Sequence, residues 1–398
     1  MTTLPLAGRS SIDDALASDL TRLRDQHLER SLRRPVRRRG AVVETTDGAT
    51  LVDFSSNDYL GLASDERLVA AATDALGRHG VGAGAARLIS GNSTEHDALE
   101  RELAVFFGAE RALTFSSGYA ANVGVIPALV GRDDAVFADA LNHASLIDGC
   151  RLSRATVHVY PHADAGALAE LLERHRPDAR RALIVSDGLF SMDGDAAPLA
   201  ALVDLAHRFG AWTYIDDAHA VGVIGADGRG SASDAGCAGA VDVTLGTLGK
   251  AFGAAGAFVY GSSTLVQYLV NRARSFVFST AMLPAQAAAA RAALRIVASE
   301  PDRRFALADN GRRLRGELSR LGIEVLSVEG PIVPVVIGDE TRTMQIGESL
   351  ARRGYLVGAV RPPTVPQGGS RLRITASAAH TREQIEGLAR ALADAIRG

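Results

Sequence analysis

One lysine, Lys250, stands among 43 basic residues; every other one is an arginine. Arginine keeps its proton in any protein environment, whereas lysine can shed one and form a Schiff base with a carbonyl. A chain that uses arginine wherever a positive charge will do, and lysine once, marks Lys250 for a task arginine cannot perform. It sits in T-L-G-K-A-F-G, whose small residues let another group approach the backbone closely. Asp216 and Asp217 adjoin in Y-I-D-D-A-H, just before His219. Adjacent acids at a strand end either join a metal site, which would want a further cluster of ligands, or aim one carboxylate at a protonated ring nitrogen. Only one of the two can face a given site, and the sequence leaves open which.

Two further features suit the second reading. S-S-G-Y, at Ser116 to Tyr119, precedes a helical stretch, and a helix N-terminus offers free N–H groups and a positive dipole end to a phosphate. A serine there also serves as a plain N-cap. His143 opens another helix in L-N-H-A-S-L, where an imidazole can stack on a flat ring and move protons. Schiff-base lysine, acidic partner and anion-binding helix are the parts that pyridoxal phosphate requires. Nucleotide loops fit less well. Lys250 is followed by Ala251, where a P-loop has serine or threonine, and no glycine stands where the first glycine of a P-loop belongs. The run G-V-G-A-G at Gly80 follows a helical pattern rather than a strand, so it makes a poor dinucleotide fingerprint.

Elements that could position these groups recur through the chain. Short apolar runs such as R-A-L-T-F, D-A-V-F-A, R-A-L-I-V-S-D and V-D-V-T-L-G-T alternate with helical stretches. That alternation predicts an α/β fold: a large domain with a mostly parallel sheet flanked by helices, and a smaller C-terminal α/β domain. In such a sheet, ligands bind beyond the carboxyl ends of the strands. Ser116, Asp187, Asp216 and Thr247 all stand there. Residues 1–56 read as an N-terminal helix and a basic turn or arm, 57–285 as the large domain, 286–398 as the small one. Thr381 with Gln384 predicts a capping box ahead of an amphipathic terminal helix.

With 398 residues, 47% hydrophobic and 22% charged, the chain is neither disordered nor membrane-embedded. A net charge of -3 argues against nucleic acid as a partner. Two cysteines, Cys150 and Cys237, do not make a disulfide framework, and the Arg-rich start carries too many acids for a transit peptide. A cytoplasmic protein without membrane contact is expected.

The motifs S-S-N-D-Y-L-G-L, S-S-G-Y-A-A-N, N-H-A-S-L-I-D-G, S-D-G-L-F-S-M-D-G-D-A-A-P-L, D-D-A-H-A-V-G-V-I-G, T-L-G-K-A-F-G and F-S-T cover most of the chain. Together they resemble the α-oxoamine synthases, pyridoxal phosphate enzymes of fold type I. The stretch R-P-P-T-V-P-Q-G-G-S-R-L-R at Arg361 is similar to the branch that joins L-alanine to a pimeloyl thioester of coenzyme A or acyl carrier protein. The sister branch that joins glycine to an acetyl group is the next nearest. The resemblance implies that Lys250 carries the cofactor and later acts as base. It implies Asp216 at the pyridinium, Ser191 and His219 by the phenolic oxygen, and His143 stacked on the ring. Gly118, Tyr119 and Thr247 would lie at the phosphate. Ser279 and Thr280 would serve the phosphate of a partner subunit, hence a homodimer with shared sites. Asn57, Arg361 and Thr364 would contact substrate, Arg361 through the amino-acid carboxylate. Arg33, exchangeable with Arg34, would be a further substrate contact.

Overall fold

The computed structural model describes residues 11–26, 28–30, 32, 35–46, 48–326 and 329–398. Seven strands form the main sheet: β4 (Arg111–Phe115), β5 (Ala135–Asp139), β6 (Thr156–Tyr160), β7 (Ala182–Asp187), β8 (Trp212–Asp216), β9 (Val243–Thr247) and β10 (Ala257–Gly261). They are preceded by β1 (Pro35–Arg39), β2 (Val42–Thr45) and β3 (Thr50–Asp53). The spatial order of the main sheet is β4-β10-β9-β8-β7-β5-β6. All pairings among β5 to β9 are parallel, while β10 runs antiparallel to both neighbours, with Ala257 opposite Thr247 and Phe115. The reason is the short link of residues 248–256, too short for the helical crossover that parallel strands need. Lys250 rides on that link.

Alternate residues of one strand feed different cores. Val136, Leu183 and Val185 point into one apolar cluster with Leu146 and Ile126; Phe137, Ala182 and Ile184 point into another with Leu168 and Leu202. Burial on both faces is why these strands read as continuous apolar runs.

The C-terminal part carries β11 (Ile332–Gly338), β12 (Tyr355–Leu356), β13 (Gly358–Val360) and β14 (Ser370–Thr375). An antiparallel sheet, β11-β14-β13, packs on helices that contribute Leu314, Ile346, Ile385, Leu388 and Leu392. The terminal helix is capped as its sequence predicts, Thr381 Oγ1 accepting from Gln384 N at 3.3 Å and Gln384 Oε1 from Thr381 N at 2.9 Å.

Two details depart from the sequence reading. The basic stretch expected as a turn is in part a strand, with Arg37 to Arg39 paired to β2. Its sheet is then joined to the C-terminal part, because β12 pairs in parallel with β3 and Phe54 lies in the C-terminal core. Residues just ahead of 57 are therefore built into the small-domain side. Residue 285, expected as the end of the large domain, falls inside the helix Pro284–Ser299. Ala287, Ala290, Ala293 and Leu294 of that helix pack with Leu99, Phe107 and Phe258 of the large-sheet core.

Candidate active site

At the carboxyl ends of the strands the functional side chains converge. Lys250 Nζ lies 2.8 Å from His219 Nε2, and His219 Nδ1 lies 2.6 Å from the Tyr59 hydroxyl. Burial drives the Lys250 amine down to about 8, with Arg373 adding to the effect and Asp216 and Asp187 opposing it. A buried ammonium lacks water to stabilise its charge, so the neutral, nucleophilic form gains. His219 is held well below its ordinary range by burial, then by the charges of Lys250, Arg373 and His143.

Asp216 is buried at the end of β8, opposite Asp187 of β7. One of its oxygens accepts from Asn122 Nδ2 at 2.7 Å, the other from the backbone N–H of Ala218 at 3.0 Å. Tyr214 donates to Asn122 Oδ1 at 2.8 Å, which commits the amide nitrogen to Asp216 and to Ser145. Asp217 turns the other way and takes the backbone N–H of Ser231 at 2.9 Å, together with its hydroxyl. The ambiguity left by the paired acids thus resolves to Asp216. Burial pushes Asp217 up to about 7, against its bonds to Ser231. Asp187 is raised well above the carboxyl range, first by burial and then by the Asp216 charge. Asp187 also fixes His143, accepting from its backbone N–H at 2.7 Å. The His143 ring caps its helix at Ser145 and remains exposed above this floor. Burial, with help from Lys250, lowers its protonation midpoint, and Asp216 opposes.

The helix Gly118–Leu129 begins here, with Ser117 as its N-cap. A side chain at Gly118 would meet only Leu245, at 4.0 Å, so the helix start is open. Thr247 ends β9 and accepts from Gly249 N at 3.2 Å. Tyr119 is half exposed and donates to Asp148 at 2.6 Å. Thr280 is exposed, bridges Ala86 and lines a small recess with Ser116, Ser279 and Arg87.

The expected substrate contacts divide. Asn57 joins the cluster: its Oδ1 accepts from Arg373 Nη2 at 3.1 Å and from Tyr59 at 3.2 Å. Arg361 and Thr364 sit instead against the N-terminal segment, Arg361 donating to Glu29 O and Thr364 accepting from Arg30 at 3.4 Å. Arg33 and Arg34 lie outside the described residues. The guanidinium that faces Lys250 and His219 is Arg373, buried on β14 and tied to the Ser191 carbonyl, Thr375 and Asn57.

Sequence reasoning passed over Arg373, Asn122 and Tyr59. A signal existed for the first: Arg371 and Arg373 alternate within a strand whose other residues are apolar or small, which puts two cations on one buried face. Asn122 is four residues beyond Gly118 and so one turn along the same helix face.

A cavity of about 570 Å³ opens at the opposite ends of the strands, lined by Trp212, Val243, Tyr260 and Tyr268, and holds none of these residues. The strand-end cluster is the chemically equipped place. Its donor set fits pyridoxal phosphate: an amine that loses its proton near neutrality, a buried carboxylate fixed by two donors, a free imidazole face, and an open helix start beside Thr247.

Comparison with known proteins agrees. Residues 49–392 match the family model "Aminotransferase class I and II". The chain is 53% identical over 380 residues to an 8-amino-7-oxononanoate synthase of Anaeromyxobacter sp. (strain K), covering 96% of this chain and 95% of that one. A serine palmitoyltransferase of S. paucimobilis, solved with a bound PLP–myriocin aldimine, superposes with a TM-score of 0.91 at 29% identity, covering 96% and 97%. The 8-amino-7-oxononanoate synthase of Francisella tularensis superposes at 0.75 with 27% identity, covering 87% and 98%. The chain therefore belongs to the α-oxoamine synthases, the branch of the pyridoxal phosphate-dependent class I and II aminotransferase family that contains the 8-amino-7-oxononanoate synthases.

Proposed function

We propose that this enzyme joins L-alanine to a pimeloyl thioester with loss of carbon dioxide, giving 8-amino-7-oxononanoate for biotin synthesis. The observation that carries the chemistry is the meeting of the single lysine with Asp216, His219 and Arg373 at the strand ends. When bound, pyridoxal phosphate supplies the conjugated electron sink for the pair released at the amino-acid α-carbon.

The remaining work falls to the chain. Lys250 would hold the cofactor through its amine and, with alanine bound, would take the α-proton on Nζ. An amine with a midpoint near 8 suits that proton transfer at neutral pH. Asp216 holds the ring proton, its position fixed by Asn122 and Ala218. His143 would hold one face of the cofactor and orient the acyl oxygen. The Gly118 helix start, Tyr119 and Thr247 hold the phosphate, with Ser279 and Thr280 supplied by a second copy of the chain, which makes the working unit a homodimer. Arg373 holds the alanine carboxylate. Three of its five N–H groups go to Ser191 O, Thr375 and Asn57, and the guanidinium also contacts the Tyr59 hydroxyl. Arg361 and Thr364, set against the N-terminal segment at Glu29 and Arg30, would serve the anionic acyl carrier. No helix among the described residues is long and apolar enough to cross a membrane, and we place the enzyme in the cytoplasm.

Alanine and glycine differ by one methyl group, which a pocket distinguishes by only about 1–3 kcal/mol. The test is therefore direct. Purified enzyme is given L-alanine or glycine with pimeloyl or acetyl thioesters, and the products are identified by mass spectrometry. Formation of 8-amino-7-oxononanoate is expected; turnover of glycine with acetyl-CoA but not of alanine with pimeloyl donors would reject the reading.

A further inference from the structure

Tyr59 is fully buried, and its hydroxyl touches His219 Nδ1 at 2.6 Å and Asn57 Oδ1 at 3.2 Å. The other nitrogen of His219 faces Lys250 Nζ at 2.8 Å. Donor and acceptor rules fix the direction of this chain of bonds, starting from its far end. Arg373 can only donate, so the Asn57 atom 3.1 Å from its Nη2 is the carbonyl oxygen. That oxygen can only accept, so the Tyr59 O–H points at it. A hydroxyl has one proton. The Tyr59 oxygen must therefore accept from His219, and His219 must carry its proton on Nδ1. Nε2 is left with a lone pair aimed at Lys250, where it receives an N–H of the ammonium.

We propose that Tyr59 is a positioning residue that imposes the Nδ1–H tautomer on His219, holding Nε2 as the acceptor for the Lys250 amine. An isolated imidazole exchanges its proton freely between the two nitrogens, so the choice belongs to the hydrogen bond made by the other nitrogen. In the opposite tautomer an N–H would oppose the ammonium and drive its proton away. Tyr59 thereby acts on Lys250 through His219, without touching it. The other charged groups facing Lys250 are Asp216, Asp187, Arg373 and His143, the last two also facing His219; Arg373 contacts the Tyr59 hydroxyl as well, so a variant that keeps this hydroxyl is needed beside one that removes it. The tautomer is independent of which amino acid or thioester the enzyme accepts, so it stands or falls apart from the substrate assignment.

The experiment uses the full-length chain freed of cofactor, so that Lys250 is unmodified. With ¹⁵N-labelled histidine, a long-range proton–nitrogen spectrum reports which His219 nitrogen bears the proton, the signal being assigned from its loss in His219→Gln. With lysine ¹³C-labelled at Cε, the chain shows one lysine signal, and its pH titration gives the Lys250 midpoint. Wild type is expected to show Nδ1–H and a midpoint near 8. Tyr59→Phe is expected to move the proton to Nε2 and lower the Lys250 midpoint by about one pH unit or more. Asn57→Leu keeps Tyr59 but frees its O–H to turn towards His219, and should produce the same inversion. This second variant separates the tautomer effect from any loss of packing at Tyr59. An Nε2–H tautomer in wild type overturns the proposal, as does a Lys250 midpoint that neither variant moves.

Discussion

Replacing Arg373 and Arg361 separately decides which arginine reads the amino-acid carboxylate. Arg373 is buried, faces Lys250, and is anchored beside it by Ser191, Thr375, Asn57 and Tyr59. Arg361 is turned towards Met344 and the Glu29 carbonyl and is not among the charges acting on Lys250 and His219. A charge-assisted pair in a site shielded from water is worth about 2–4 kcal/mol when one partner is removed, equivalent to roughly 30- to 1000-fold. Arg373→Gln should therefore lower kcat/KM for L-alanine by that factor. Arg373→Lys should recover only part of it, because a point charge replaces the two-pronged donor. Arg361→Gln should change kcat/KM for alanine less than about threefold, acting instead on KM for the thioester. The assay is steady-state release of the free thiol, with each substrate varied in turn. Because Arg373 also ties down Ser191, the alanine KM measured against an unchanged thioester KM separates binding from general loosening. A larger alanine defect in Arg361→Gln than in Arg373→Gln would refute the assignment.

Other consequences follow from the same geometry. With a midpoint near 8, roughly one Lys250 in ten is unprotonated at pH 7, against roughly one in three thousand for an ordinary lysine. Cofactor uptake by the stripped protein should thus speed up about tenfold per pH unit up to about 8 and then level off; borohydride trapping of the only lysine follows it, and a midpoint near 10 would contradict the burial argument. Asp217, raised to about 7, binds a proton in the folded chain that the unfolded chain releases near pH 4. Its contribution to stability accordingly declines as pH rises from about 4 to 7. Asp217→Asn should shift Tm more favourably at pH 8 than at pH 5, and parallel melting curves would exclude this. Gly246→Ala would place a Cβ 2.3 Å from the Phe258 ring, an overpacking cost of about 1–3 kcal/mol or more that denaturant unfolding measures. Adding Phe258→Leu should return part of that loss.

The large sheet was legible because its inner strands, such as β5, β7 and β9, are buried on both faces, which leaves uninterrupted apolar runs in the sequence. The reverse direction of β10 was not, since A-G-A-F-V-Y reads alike in either sense and only the short 248–256 link dictates it. Lys250 stood out through composition, Asp216 and His219 through their place after a strand. Choosing Asp216 over Asp217 needed the partner groups, Asn122 on one side and Ser231 on the other, which lie far along the chain from both acids. The site residues that escaped notice share this trait. Arg373 comes from the C-terminal sheet and Tyr59 from the segment before the helix Glu66–His79, and each acquires meaning only when folding brings it to the Lys250–His219 pair.

That origin has a chemical consequence. Lys250, His219 and Asp216 all belong to the large sheet, and by themselves would present an amine flanked by acids. Opposite charge favours the ammonium, so such a lysine would hold its proton more tightly. Two things reverse the balance: burial under the neighbouring segments, and the Arg373 guanidinium delivered by β14. Arg373 also orients Asn57, and through it Tyr59 and His219. The small sheet is thus part of the lysine's chemistry and more than a cover for it. Arg371 and Arg373 bond to Met192 and Ser191, in the loop that follows β7. These two side chains tie the small sheet to that loop. The large sheet supplies the reactive groups, and burial together with Arg373 of the small sheet sets their protonation.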